Sequence, residues 1–145
     1  MSTTDTCAHG EAIRRSIARR AGPHADARAT ALATRAIWRR VEAQLEPVIG
    51  ARGVDALLGR ALHLTGKEHP WLAAAGARGS SDTSLDHVQH RLAAQRVELA
   101  GAAAQALLTA FADLLTTLVG DSLASRLLDP AWDAPQPDSR QEHAP

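Results

Sequence analysis

The sequence predicts an all-α fold, a single compact helical bundle of about five helices, and three observations predict it. The 145 residues contain no Tyr, one Phe (Phe111) and few β-branched residues, while Ala, Leu and Arg dominate; these are helix formers and not strand formers. Apolar residues recur at three- and four-residue spacing through most of the middle of the chain, which is the period of a helix with one buried face. Two stretches also echo one another 70 residues apart. Leu45 falls on Leu115, Ile49 on Val119, Gly50 on Gly120, Leu57 and Leu58 on Leu127 and Leu128, and Ala61 on Ala131. Each copy reads as a long helix, a glycine break and a shorter Leu-Leu helix, so the bundle is expected to contain two pseudo-symmetric helix-Gly-helix corners. Ala and Leu are so common here that the echo alone does not establish a duplication.

Residues 1–24 read as a flexible basic tail. Glu11 to Ala21 can form three helical turns before Gly22-Pro23, but only Ile13 and Ile17 offer an apolar stripe, so the piece is expected to fray. The bundle then runs from 25 to 133. Its first helix begins at the N-cap Asp26 and carries Trp38, Val41, Leu45 and Val48 on one face; Pro47 is expected to kink or end it near 46. A second helix, about 53–65, presents Val54, Leu57, Leu58, Ala61, Leu62 and Leu64, with Gly66 as a left-handed C-terminal stop. A long loop holding Trp71-Leu72 leads to a third helix, about 85–96, with Leu85, Val88, Leu92 and Ala93 inward. The fourth, 97–119, is apolar over much of its circumference, through Leu107, Phe111, Leu114 and Leu118 and, beside them, Leu108 and Leu115. It is expected to be the central buried helix. Gln105 and Asp113 interrupt it, and a central charge costs about 2.5–3.5 kcal/mol on membrane-insertion scales, so it is not read as a membrane span. The fifth helix, about 121–128, is stopped by Pro130, with Trp132 just beyond. Residues 134–145, with Pro135, Pro137 and Pro145 among polar neighbours, read as a disordered tail.

Sixteen basic and sixteen acidic residues cancel, though not evenly. Residues 1–60 hold ten Arg against six acids (+4), and residues 61–145 hold six basic against ten acidic groups (−4). Fifteen Arg against one Lys, Lys67, fits a GC-rich bacterial genome. One cysteine, Cys7, forms no internal disulfide, and the polar, then basic N-terminus lacks the apolar core of a secretion signal. A cytoplasmic protein is the expectation.

Four constellations are candidates for chemistry. His63 with Lys67 one turn later resembles the phosphoacceptor of histidine phosphotransfer domains, which are helical bundles of this size; a nearby cation steadies a phosphoryl group on an exposed imidazole. The order departs from the family's His-x-x-Lys-Gly, because Gly66 precedes Lys67, and a glycine there is expected to end the helix too early. His87 and His90 share a helix face and His69 lies nearby, but no third ligand has a marked position, so no metal site is expected. Arg14, Arg15, Arg19 and Arg20 form a basic patch that Arg39 and Arg40 extend. Without a helix-turn-helix, a stacking platform or net positive charge, nucleic acid is not the expected partner. Trp71, Leu72 and Trp132 are aromatic and aliphatic anchors suited to a protein interface. No nucleophile elbow or phosphate-cradling loop occurs, and no catalytic residue or cofactor is assigned.

The runs L45EPVIGARGVDALLGRALHL64 and F111ADLLTTLVGDSLASRLLDPAW132 resemble a group of small uncharacterised all-helical proteobacterial proteins and segments, over about residues 30–132. The matching Leu, Gly, Arg and Trp positions are structural in kind. Such segments accompany signal-transduction modules, which implies a regulatory role and supplies no catalytic residue. The expected function is therefore a non-enzymatic interaction or regulatory domain that contacts a protein partner or itself; the alternative is phosphotransfer through His63.

Overall fold

The computed structural model describes residues 2–73 and 81–133, and within them every regular element is a helix. Six helices follow in order: α1 (Ser2–Ala21), α2 (Ala27–Thr65), α3 (Pro70–Ala73), α4 (Ser81–Ala93), α5 (Val97–Val119) and α6 (Asp121–Asp133). The bundle expected from composition and spacing is present.

α2 starts where the sequence marks it. The Asp26 carboxylate accepts the Ala29 amide at 2.8 Å, satisfying one of the four amides a helix leaves unpaired at its start. The break expected at Pro47 occurs instead at Gly50, where φ is 82° and ψ 162°. Pro47 stays inside the helix: the hydrogen bond it cannot make would reach the carbonyl of exposed Ala43, which water can satisfy. α2 thus has two limbs, 27–49 and 51–65. Gly120 does the same between α5 and α6, with φ 94° and ψ 160°. This region of backbone space is essentially closed to residues with a Cβ. A Cβ at either glycine would meet nothing within 4 Å, so the constraint is the dihedral and not space.

The echo is therefore a structural repeat. Val54, Leu58, Ala61 and Leu62 are buried on the short limb of α2; their counterparts Ala124, Leu128, Ala131 and Trp132 are buried on α6. On the long limbs Ile37, Trp38, Val41 and Leu45 match Leu107, Leu108, Phe111 and Leu115, all buried. The long limb and α5 meet at Trp38 and Phe111, whose rings pack edge to face at 4.8 Å between centroids. α5 is long and apolar enough to cross a membrane, but here it packs against α1, α2, α4 and α6 and buries Ala100, Ala103, Ala104 and Ala112 besides its large residues.

Several sequence expectations need correction. Val48 and Leu118, assigned to buried stripes, are 48% and 60% exposed; they hold the same place in each copy, two residues before the glycine, where the next residues, Ile49 and Val119, take the core-facing side instead. Ala93 is exposed as well. Gly66 is not left-handed: at φ −64°, ψ −15° it continues the turn, and Lys67, Glu68 and His69 donate back to Leu64 and Thr65. Pro130 lies within α6, which runs on to Asp133, so Trp132 is part of the helix.

The largest correction concerns α1. It is no frayed tail: Ile13, Ser16 and Ile17 are buried, and the helix packs on α2, α5 and α6. Small Gly10 is buried too, and its carbonyl accepts from Gln105 Nε2 at 3.2 Å. Trp132 Nε1 donates to His9 Nδ1 at 3.3 Å, and Arg19 Nη2 donates to the Trp132 carbonyl at 2.8 Å. Two isoleucines make a weak stripe; small residues and hydrogen bonds to α5 and α6 complete the seat. The segment 134–145, expected to be disordered, lies outside the described residues.

Candidate functional site

α1 and α4 are the counterparts that precede each long limb. Setting Ile13 on Leu85 brings Arg14 and Arg15 onto Asp86 and His87, exposed in both, and Arg19 onto Arg91. The register differs from the 70-residue echo by two because the connector after α1 (22–26) is two residues longer than that after α4 (94–96). Both arginines bond a backbone carbonyl, though not equivalent ones: Arg19 donates to that of Trp132, and Arg91 to that of Trp71 at 3.4 Å.

Two positions then stand out. The core-facing sites filled in α4 by Val88 and Leu92 are filled in α1 by Ser16 and Arg20. Ser16 Oγ is buried without a hydrogen-bond partner, and so are Arg20 Nε and Nη2. Burial holds the Arg20 guanidinium below its ordinary pKa, and the neighbouring charges of Arg40 and Arg19 push it further the same way. Buried donors without acceptors are costly, and like charges side by side add to that cost.

Beside this cluster, Arg39, Arg40, Ala43 and Gln44 of α2 and Pro130 and Ala131 of α6 line a cavity of about 250 Å³. Its counterpart between α5 and the end of α2 is larger, about 460 Å³. Thr109, Ala110 and Asp113 stand there where Arg39, Arg40 and Ala43 stand in the first, and Glu68 faces it. One cavity is therefore basic and the other acidic.

The basic patch read from the sequence divides in two. Arg14 and Arg15 are exposed and share the carboxylate of Glu11. Arg19, also exposed, reaches the Trp132 carbonyl, and Arg20, half-buried, feels the charges of Arg40 and Arg19. What the sequence reading missed is that Arg20, half-buried with Nε and Nη2 out of solvent, stands at the position that Leu92 fills in α4; laying α1 on α4 at the register of Ile13 and Leu85 reveals it.

The remaining candidates are scattered. His63 and Lys67 are both exposed at the end of α2. Trp132 (1% exposed) and Leu72 (0%) are core residues, and Trp71 is half-buried against the core in α3 with His69 against its ring. The three therefore do not form an exposed anchor surface, because each found apolar cover within its own chain. His87 and His90 are exposed on α4, and no group of three His, Cys, Asp or Glu that could hold a metal occurs among the described residues. Comparison with family models, curated proteins and solved structures gave no match.

Proposed function

We propose that this chain is a non-enzymatic regulatory domain that works through contacts with a protein partner, and that α1 is its working element. One observation carries the reading: α1 spends two core-facing positions on Ser16 and Arg20 where the equivalent helix has Val88 and Leu92. Elements that move or bind come from the less stable parts of a fold, and polar residues kept in a core against stability are characteristic of functional surfaces. α1 also carries Arg14, Arg15, Arg19 and Arg20 against two acids, a positive balance that favours an acidic partner surface. A cytoplasmic setting goes with this reading.

The test is site-resolved. A photocrosslinking residue at exposed Ala18 on α1, introduced in the source cells, should trap one partner adduct that excess unlabelled chain competes away. The same residue at exposed His87 on α4 should trap little. Equal yields from both, or adducts from α4 alone, would contradict the proposal.

A second reading, phosphotransfer through His63, is favoured by the exposure of His63 and Lys67 and by the turn that continues past Gly66. Incubation with a small-molecule phosphodonor should then give an acid-labile label that His63→Ala abolishes. No label on the wild-type chain would end that reading.

A further inference from the structure

The last turn of α1 and the middle of the long limb of α2 bring four guanidinium groups to one side of the molecule. Arg39 and Arg40 line the 250 Å³ cavity, Arg19 is anchored on the Trp132 carbonyl, and Arg20, near enough to Arg40 and Arg19 to feel their charges, has Nε and Nη2 buried without an acceptor. None of the four forms an ion pair with a described residue, whereas Arg14 and Arg15 have Glu11. The fold does not require this: Leu92 serves at the position equivalent to Arg20. A half-buried cation among other cations, with two of its nitrogens unbonded, is a place where an anion would be stabilised.

We propose that Arg20 and Arg40, with Arg19 and Arg39 beside them, bind a single phosphate-type dianion. Guanidinium groups present parallel donors that match phosphate oxygens, and charge-assisted bonds of this kind are about twice as strong as neutral ones. A phosphate monoester carries about −1.5 to −2 near neutral pH and offers three acceptor oxygens, a better counterpart to several unpaired arginines than one carboxylate. The cavity is smaller than the roughly 300–1,000 Å³ of pockets that enclose whole small molecules, so it suits one anionic group and not a cofactor. A nucleic-acid track is disfavoured, because Arg14 and Arg15 are engaged by Glu11 and the chain has no net charge.

This site rests on the reading of α1 as the working element, and its test is separate from the crosslinking test. Inorganic phosphate and free phosphoserine are titrated into the full chain at constant ionic strength, with chloride as control. Thermal unfolding and the NMR signal of the Arg20 Nε–H group are followed. Both should shift saturably with phosphate and not with chloride. Arg40→Gln, at an exposed position that leaves folding intact, should weaken binding about tenfold or more, the loss of one charged hydrogen bond. Arg14→Gln should change nothing. Tighter binding of phosphoserine than of phosphate assigns the anion to a phosphorylated chain; equal binding assigns it to the free phosphate group. Equal shifts with chloride, or wild-type affinity in Arg40→Gln, would overturn the site. If the site fails while crosslinks still map to α1, the regulatory reading stands without it.

Discussion

α1 and α4 hold equivalent places in the two halves of this molecule, and they are fastened differently. α4 packs through Leu85, Val88 and Leu92, and Arg35 ties it to α2 by an ion pair with Asp86 at 2.8 Å. α1 has Ile13 and Ile17 but places Ser16 and Arg20 toward the core, and depends on Gly10, His9 and Arg19 for hydrogen bonds to α5 and α6. Since the same architecture accepts an apolar helix at the equivalent place, the polar face of α1 is not a demand of the fold. The difference locates where stability was given up, and with it where function is to be sought.

The comparison holds only if the two halves are equivalent everywhere else, and the largest effects test that. Leu45 and Leu115 are matched, fully buried residues, and each change to Ala should cost about 2–5 kcal/mol in denaturant unfolding; Phe111→Ala should cost about 3–5 kcal/mol. A small loss at Leu45 beside a large one at Leu115 would break the equivalence. The corners come next. Gly50→Ala and Gly120→Ala should each lose about 1–3 kcal/mol, because a Cβ is strained at these dihedrals. Gly101→Ala, within α5 and facing open space, should gain about 0.5–1 kcal/mol. Exchanging the polar face of α1 for that of α4 tests the difference itself. Ser16→Val together with Arg20→Leu should raise stability by about 1 kcal/mol or more, whereas Val88→Ser should lower it by about 1–3 kcal/mol. The smallest effect is local: Asp26→Ala, removing the cap of α2, should cost about 1 kcal/mol.

The sequence was most legible where one residue type has one physical use. Gly50 and Gly120 marked both corners, Asp26 marked the start of α2, and the apolar spacing gave 97–119 with the limits the structure has for α5. Proline misled twice. Pro47 is expected to kink or end its helix and Pro130 to stop one, yet both lie on exposed faces where the freed carbonyl can be hydrated, so helix continues through them. Trp132 and Leu72 looked like interface anchors because bulk shows in a sequence and burial does not. The candidate site was half legible: Arg19-Arg20 and Arg39-Arg40 were visible as basic pairs. Their convergence depends on α1 docking, and its seat relies on a small residue, Gly10, and on long-range hydrogen bonds that leave no periodic trace.

The central claim is that α1 is the half-committed helix of a repeated pair, and native-state hydrogen exchange on the full chain measures this directly. Amides of residues 13–20 should open at a lower free energy than those of 85–92, and Ser16→Val with Arg20→Leu should bring the two helices level. Protection of α1 equal to that of α4 in the wild-type chain, or unchanged by the double substitution, would contradict it.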